Sequence, residues 1–116
     1  MKKILVGLAA ITLTTSSCKT VYSTTSIEPK KFFVLGDNEH EAFEITIKNI
    51  SKENLELLKV PNGGKSELVQ ILNPHKKATI IIEKNTALYV HNKSQFKVAV
   101  ELDIKSNSHL SMGYKE

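Results

Sequence analysis

The densest group of possible ligand residues in the sequence reads Asp-Asn-Glu-His-Glu. Its alternate carboxylates, Asp37, Glu39 and Glu41, supply the oxygen ligands that a hard cation such as calcium prefers. A calcium loop also needs a glycine at its sixth place and a glutamate at its twelfth, where this sequence has Ala42 and Lys48. The three carboxylates are therefore a weak metal-site candidate, and a solvated turn is the simpler interpretation.

The four histidines are widely separated along the chain, at positions His40, His75, His91 and His109. A zinc site usually includes one closely spaced pair of ligands, so this spacing favours single histidines in surface turns. The sequence has no serine nucleophile elbow, no helical zinc-protease motif and no phosphate-binding glycine loop. These observations predict a non-catalytic protein without a cofactor. An enzyme site assembled from separate strands is the remaining alternative.

Aromatic side chains offer a second kind of site, because an exposed flat ring can pack against a sugar. The sequence has no tryptophan, and several of its phenylalanines and tyrosines belong to runs that alternate toward a core. Tyr89, Phe32 and Tyr114 remain as candidates for an exposed ligand platform that would bind a glycan. Partial packing of these rings at strand edges is the competing interpretation.

The composition is that of one globular domain, with 116 residues of which 41% are hydrophobic and 24% charged. All 16 basic residues are lysine, and removal of Lys2 and Lys3 leaves 14 against 12 acidic residues. This small excess, without any arginine, argues against nucleic-acid binding. With 1 cysteine the chain forms no internal disulfide, so an apolar core must stabilise it.

The N-terminal segment has the layout of a secretory signal peptide. Lys2 and Lys3 form a positive start, residues 4–13 are apolar or small, and small polar residues lead to Cys18. A membrane-spanning helix needs about 20 apolar residues, which is about twice the length of this run. The sequence therefore predicts export, with residues 1–17 as the cleaved signal.

The end of this segment, Ser16-Ser17-Cys18, resembles the processing site of bacterial lipoproteins, in which small residues precede a cysteine that receives a lipid. The resemblance implies a lipid on Cys18, which would anchor the protein in a membrane of the cell envelope. Thr15 departs from the family pattern, which has Leu, Val or Ile there, so cleavage by an ordinary signal peptidase is the alternative. Lys19, in place of Asp, implies the outer membrane rather than the inner one.

Residues 18–30 follow as a lipidated cysteine and a segment rich in serine and threonine. This composition, with Pro29, favours a flexible tether. Val21, Tyr22 and Ile27 leave open a docked edge strand instead. The tether interpretation places the folded domain at residues 31–116.

The dominant period within that domain is two, which is typical of strands with one buried and one solvated face. Phe96 to Ile104 is apolar at every second place, and Phe43, Ile45 and Ile47 alternate with polar residues in the same way. Shorter runs at 78–83 and 87–91 are rich in β-branched residues, and turn residues separate the runs. We predict an all-β, Ig-like antiparallel sandwich of about six to eight strands.

Two stretches are ambiguous. Residues 52–60 are favoured as a strand with Leu55 and Leu57 facing inward, and one or two helical turns are the alternative. Residues 66–72 have apolar side chains on both faces, a pattern that suits a central or covered strand.

The predicted function is a non-catalytic binding or scaffold module, held at the membrane through Cys18. Its expected partner is another envelope protein, bound along an exposed strand edge or a loop end. A module that binds calcium or a glycan is the alternative.

Overall fold

A computed structural model describes residues 19–116, so the predicted signal peptide and Cys18 lie outside the described residues. The described residues form nine strands: β1 (Lys19–Ile27), β2 (Phe32–Leu35), β3 (Phe43–Asn49), β4 (Leu55–Pro61), β5 (Glu67–Leu72), β6 (Lys77–Ile82), β7 (Thr86–His91), β8 (Val98–Ser106) and β9 (Met112–Lys115). None of these residues belongs to a helix with the length and apolarity needed to cross a membrane.

The strands form two antiparallel sheets. The four-stranded sheet has the order β1-β8-β3-β6, and the five-stranded sheet has the order β5-β4-β7-β2-β9. Strands β1 to β8 thus follow the double Greek-key order of a jelly roll, and β9 lies beside β2.

The all-β sandwich is therefore confirmed, but its strand order is not that of an immunoglobulin domain. The first two strands of an immunoglobulin domain share a sheet, whereas β1 and β2 lie in different sheets here. Nine strands also exceed the predicted number. Alternation shows which side chains face inward, but it carries no information about which strands become neighbours.

The core lies between the sheets and consists of the inward residues of both. In β3 the side chains of Phe43, Ile45 and Ile47 are buried, and the residues between them are half-buried. In β8 the same alternation buries Val98, Val100, Leu102 and Ile104. The inward faces of β2, β4 and β7 supply the opposite half of the core, with the buried side chains Phe33, Leu35, Leu55, Leu57, Leu88 and Val90. Burying each large aliphatic side chain contributes about 1.5–3 kcal/mol.

Strand β1 corrects the tether interpretation. Residues 19–27 pair with β8 along their whole length as the edge strand of the four-stranded sheet, so the sandwich includes residues that lie before the predicted start at 31. Thr25 and Ile27 are buried on its inward face, and Tyr22 is exposed on the other face. Serine and threonine are compatible with both a flexible tether and an edge strand. The buried Thr25 and Ile27, together with the ladder to β8, dock the strand.

The ambiguous stretch 52–60 is a strand as favoured, since β4 buries Leu55 and Leu57 completely. Strand β8, in contrast, begins at Val98, and the Phe96 side chain is 65% exposed instead of facing inward. The reason is the turn that begins at Asn92.

Asn92 is fully buried and organises the turn between β7 and β8. Its amide nitrogen donates to the Phe96 carbonyl oxygen, while its side-chain oxygen accepts from the backbone and hydroxyl of Ser94. The same amide also donates to the carbonyl oxygens of Ile27 and Glu28 at the end of β1. These hydrogen bonds hold residues 92–96 outside the β-ladder.

Asn49 makes the same arrangement after β3. It is fully buried, donates to the Glu53 carbonyl oxygen and accepts from the backbone and hydroxyl of Ser51. Its second amide hydrogen bond, of 2.9 Å, reaches the Leu72 carbonyl oxygen at the end of β5. One asparagine thus fastens the end of β1, and the other fastens the end of β5.

Candidate binding surfaces

The acidic stretch after β2 lies in a loop, and its three carboxylates do not converge on one site. Asp37 forms an ion pair with Lys115 at 3.4 Å, and Glu39 and Glu41 are exposed. Asp37 and Glu39 line a cleft of about 330 Å³ beside the turn 61–64, whereas Glu41 does not. Within residues 19–116, no three His, Cys, Asp or Glu side chains form a group that could hold a metal ion.

The loop is held by the neutral residue between the carboxylates. The Asn38 amide donates to the carbonyl oxygens of Glu39 and His109, and its side-chain oxygen accepts from the Ser111 backbone. The backbone nitrogen of Glu41 donates to the Ser108 hydroxyl. These bonds tie the loop to the segment between β8 and β9.

His40 is buried rather than in a surface turn, contrary to the prediction for the histidines. Its ring nitrogens lie 2.6 Å from the Glu41 carbonyl oxygen and 2.8 Å from the Thr86 carbonyl oxygen. The ring also packs edge-on against Phe43. These contacts with backbone oxygens and a core aromatic ring indicate a structural role.

Two of the three predicted platform residues meet on the outer face of the five-stranded sheet. Leu88 and Val90 face the core, so Tyr89 faces outward, as the alternation predicts. Its ring lies edge-on to the Phe32 ring, with centroids 5.7 Å apart. Tyr114 packs instead against the inward-facing Phe33, so it is not part of this outer-face group.

His91 joins this group, which we call the aromatic cluster (Phe32, Tyr89 and His91). The His91 ring stacks on the Phe32 ring at a centroid distance of 4.0 Å. The stacking leaves less ring surface of Phe32 available to a ligand, so the cluster is a packed patch rather than an open platform.

Glu56 closes one side of the aromatic cluster. Its carboxylate lies 3.3 Å from both His91 Nδ1 and Lys93 Nζ. Desolvation raises the pKa of Glu56, but the hydrogen bonds from His91 and Lys93 and the positive charge of Lys93 outweigh it, so the pKa lies below its ordinary value. The carboxylate is therefore occupied by interactions within the protein.

Lys115 lies on the opposite side of the aromatic cluster, with its ammonium 5.6 Å from the centre of the Tyr89 ring. Tyr89 first, and the Asp37 carboxylate second, raise the pKa of Lys115 above its ordinary value. The cluster is thus bordered by charges that already have partners.

Strand β5 differs most from its sequence interpretation. Its apolar pattern on both faces favours a covered strand, yet β5 is an edge strand that pairs with β4 alone. The exposed fractions are 51% for Leu68, 37% for Val69 and 50% for Ile71. Large hydrophobic residues are thus presented to solvent along a free strand edge.

The exposed side chains of β5 continue onto the sheet. Leu58 of β4 lies between Leu68 and Tyr89 in the register, and a bulge falls where β5 has the extra residue Val69. Ile71 lies opposite Glu56. We call Leu58, Leu68, Val69 and Ile71 the aliphatic edge.

Sequence reasoning identified Phe32 and Tyr89 but missed the aliphatic edge. The relevant signal was present, since β5 has apolar residues on both faces. That pattern does not distinguish a strand that is buried within its own fold from an exposed edge strand that can bind another molecule.

Comparison with known proteins gives a similarity of fold. No family model matches the chain, and no curated protein matches it. A similar solved structure is the crystal structure of the Yersinia pseudotuberculosis-derived mitogen (YPM), with a TM-score of 0.50 and 14% identity over 78% of this chain and 88% of that chain. At this identity the likeness concerns architecture, so the chain is similar to that mitogen as a two-sheet β-sandwich.

Proposed function

We propose that this protein is a non-catalytic binding module of the bacterial cell envelope, anchored by a lipid on Cys18, that binds another envelope protein through the aliphatic edge. The observation that carries the proposal is the exposure of Leu68, Val69 and Ile71 on β5, a strand that is paired on one side only. Such an edge offers backbone hydrogen bonds and apolar contacts to an added strand.

The other edge strands carry features that discourage strand addition. Strand β9 is short and includes Lys115, and β1 is mostly hydroxyl-bearing. Strand β6 exposes one large hydrophobic residue, Ile81, where β5 exposes three. Strand β5 has no lysine and no proline, and its charged residue, Glu67, stands at its first position. This difference between the edge strands favours β5 as the strand that binds a partner.

The partner that best fits β5 is an extended segment of a different protein, with apolar residues at every second position. A symmetric pairing of β5 with a second copy would centre on residues 69 and 70, and this would place two bulges opposite each other. Bulges interrupt the regular ladder, so such a pairing would lose hydrogen bonds. A foreign strand has no bulge at that point.

A photo-crosslinking amino acid at position 69 tests the interaction in cells that naturally contain the protein. We expect one crosslinked product with another envelope protein, and its loss in the double variant Leu68→Lys/Ile71→Lys, because lysine on the edge opposes strand addition. Ile81→Lys is the matched control, since Ile81 is a 54% exposed hydrophobic residue on the edge strand β6.

Three results would contradict the proposal: no product, a product of twice the chain's own mass, or equal loss of the product in Ile81→Lys. The anchor is tested separately. Wild-type protein should incorporate labelled fatty acid and sediment with membranes, and Cys18→Ser should do neither. Retention of the label in Cys18→Ser would disprove lipidation at that residue.

A further inference from the structure

The outer face of the four-stranded sheet contains a polar groove on the side of the molecule opposite the aliphatic edge. It is a cavity of about 460 Å³, within the range of small-molecule sites. One row across the sheet consists of Tyr22, Asp103, Thr46 and Thr79, and the next consists of Thr24, Glu101, Lys48 and Lys77. We call this the Tyr22 groove.

One oxygen atom of the Tyr22 groove lacks a hydrogen-bond partner. Asp103 Oδ1 is buried and has no partner among the described residues, and Asp103 stands beside Tyr22 in the outward row of this groove. The other such atom, Ser23 Oγ, belongs to the inward face of β1, with Thr25 and Ile27. An unpaired buried polar atom costs about 1–3 kcal/mol, and such atoms are uncommon in native proteins. The unpartnered Asp103 oxygen at this groove indicates that a ligand donates a hydrogen bond there.

The charges of the groove indicate a neutral ligand. Lys48 and Lys77 are balanced by Glu101 and Asp103, and none of these four residues belongs to an ion pair in the described part of the chain. The lysines disfavour a cation and the carboxylates disfavour an anion. Donors and acceptors together suit a molecule that carries many hydroxyl groups.

Tyr22 supplies an apolar wall. Its side chain is 74% exposed on β1, directly beside Asp103 in the register. An exposed ring next to a carboxylate and threonine hydroxyls is complementary to a sugar, which has an apolar ring face and hydroxyls around its rim. The partnered aromatic cluster on the other sheet lacks this combination.

We propose that the Tyr22 groove is a binding site for a neutral saccharide. Tyr22 packs against a ring face, and the Asp103 carboxylate accepts hydrogen bonds from the sugar hydroxyls. This site is independent of the β5 interaction, because the two surfaces lie on different sheets.

A glycan array tests the proposal on the full-length chain, purified in a detergent without a sugar head group. We expect at least one uncharged glycan to bind, with an affinity then measured by calorimetry. Tyr22→Ala should weaken that affinity about tenfold or more, a change that corresponds to the loss of one good contact. Asp103→Asn should weaken it as well, because the amide replaces an acceptor by a donor.

Tyr114→Ala is the matched control, since Tyr114 is an exposed tyrosine on the other sheet and should leave the affinity unchanged. Unchanged melting temperatures would establish that Tyr22→Ala and Tyr114→Ala are folded. The proposal is wrong if no uncharged glycan binds at about 1 mM, if only sulfated glycans bind and high salt abolishes their binding, or if Tyr22→Ala binds as well as wild type. Each of these results would leave the proposal for β5 unaffected.

Discussion

The two outer faces of the sandwich are built by the same alternation but present different chemistry. The four-stranded sheet shows threonines, balanced charges and one exposed tyrosine around a groove. The five-stranded sheet shows the aliphatic edge and the packed aromatic cluster. Inward positions are constrained by the shared core, whereas outward positions can differ without changing the fold. Functional chemistry is therefore to be sought in the outward half of each strand.

The two buried asparagines fix the strands that carry these two surfaces. Asn92 fastens the end of β1, which carries Tyr22, and Asn49 fastens the end of β5, which carries the aliphatic edge. Each surface therefore has its own attachment to the rest of the sandwich.

The largest expected effect separates inward from outward positions. Leu57→Ala, in the completely buried core, should lower the free energy of unfolding by about 2–5 kcal/mol, because it removes packed atoms and leaves a cavity. Leu58→Ala, one residue further along the chain, should cost clearly less because Leu58 is on the outer face. Urea denaturation followed by circular dichroism measures both. Equal losses would contradict the assignment of the two faces.

The next effect tests whether the two surfaces are fastened separately. Asn92→Ala and Asn49→Ala should each cost about 1–3 kcal/mol, because buried carbonyl groups lose their donors. In hydrogen exchange, Asn92→Ala should increase exchange mainly in β1, and Asn49→Ala mainly in β5. The same exchange pattern in both variants would show that the edges are coupled rather than independent.

A smaller effect distinguishes the two faces by their apolar surface. Leu68→Lys/Ile71→Lys should change the free energy of unfolding by no more than about 0.5 kcal/mol per site, since both side chains are half-exposed. The fluorescence of a dye that binds apolar surface should fall in this variant. Thr24→Lys on the other face serves as the control and should leave the fluorescence unchanged. An equal fall in this variant would contradict the difference in exposed apolar surface between the two faces.

The smallest effect concerns pH. The folded-state pKa of Glu56 is below its ordinary value of 4.5, so its interactions stabilise the protein above that pH and are lost as pH falls through the folded pKa. Wild type should therefore lose up to about 1 kcal/mol more stability than Glu56→Gln on acidification below about pH 4.5. Urea denaturation at several pH values measures this difference. Glu101→Gln, on the groove face, should follow wild type, and parallel curves for all three proteins would contradict the role of Glu56.

Much of the inner half of the fold could be predicted from the sequence. Phe43, Ile45 and Ile47 are buried as their alternation predicts, and Tyr89 faces outward between two core residues. Alternation is a local property of the sequence, and a single buried face determines which residues of a strand point inward. Phe96 breaks the rule because a side-chain hydrogen bond from Asn92, rather than the pattern, decides where β8 begins.

The surfaces were harder to predict, because exposure depends on which strands become neighbours. The serines and threonines around Tyr22 favour a tether, although Tyr22 itself leaves a docked edge strand open, because this composition suits both structures. The exposure of Ile71 was missed because nothing in its own strand shows that β5 lies at an edge. Strand order is set by contacts between distant segments, so both surfaces became visible only in the assembled sandwich.

The pairing of Lys19 with Ser106 of β8 has a mechanical consequence. With a lipid on Cys18, the anchoring point and the first paired residue would be consecutive, leaving no slack between membrane and sandwich. Tyr22 would then stand about 13 Å of strand from the anchor, at about 3.3 Å per residue. Without a flexible linker, such a domain would move little relative to the membrane. It would sample what lies at the bilayer surface.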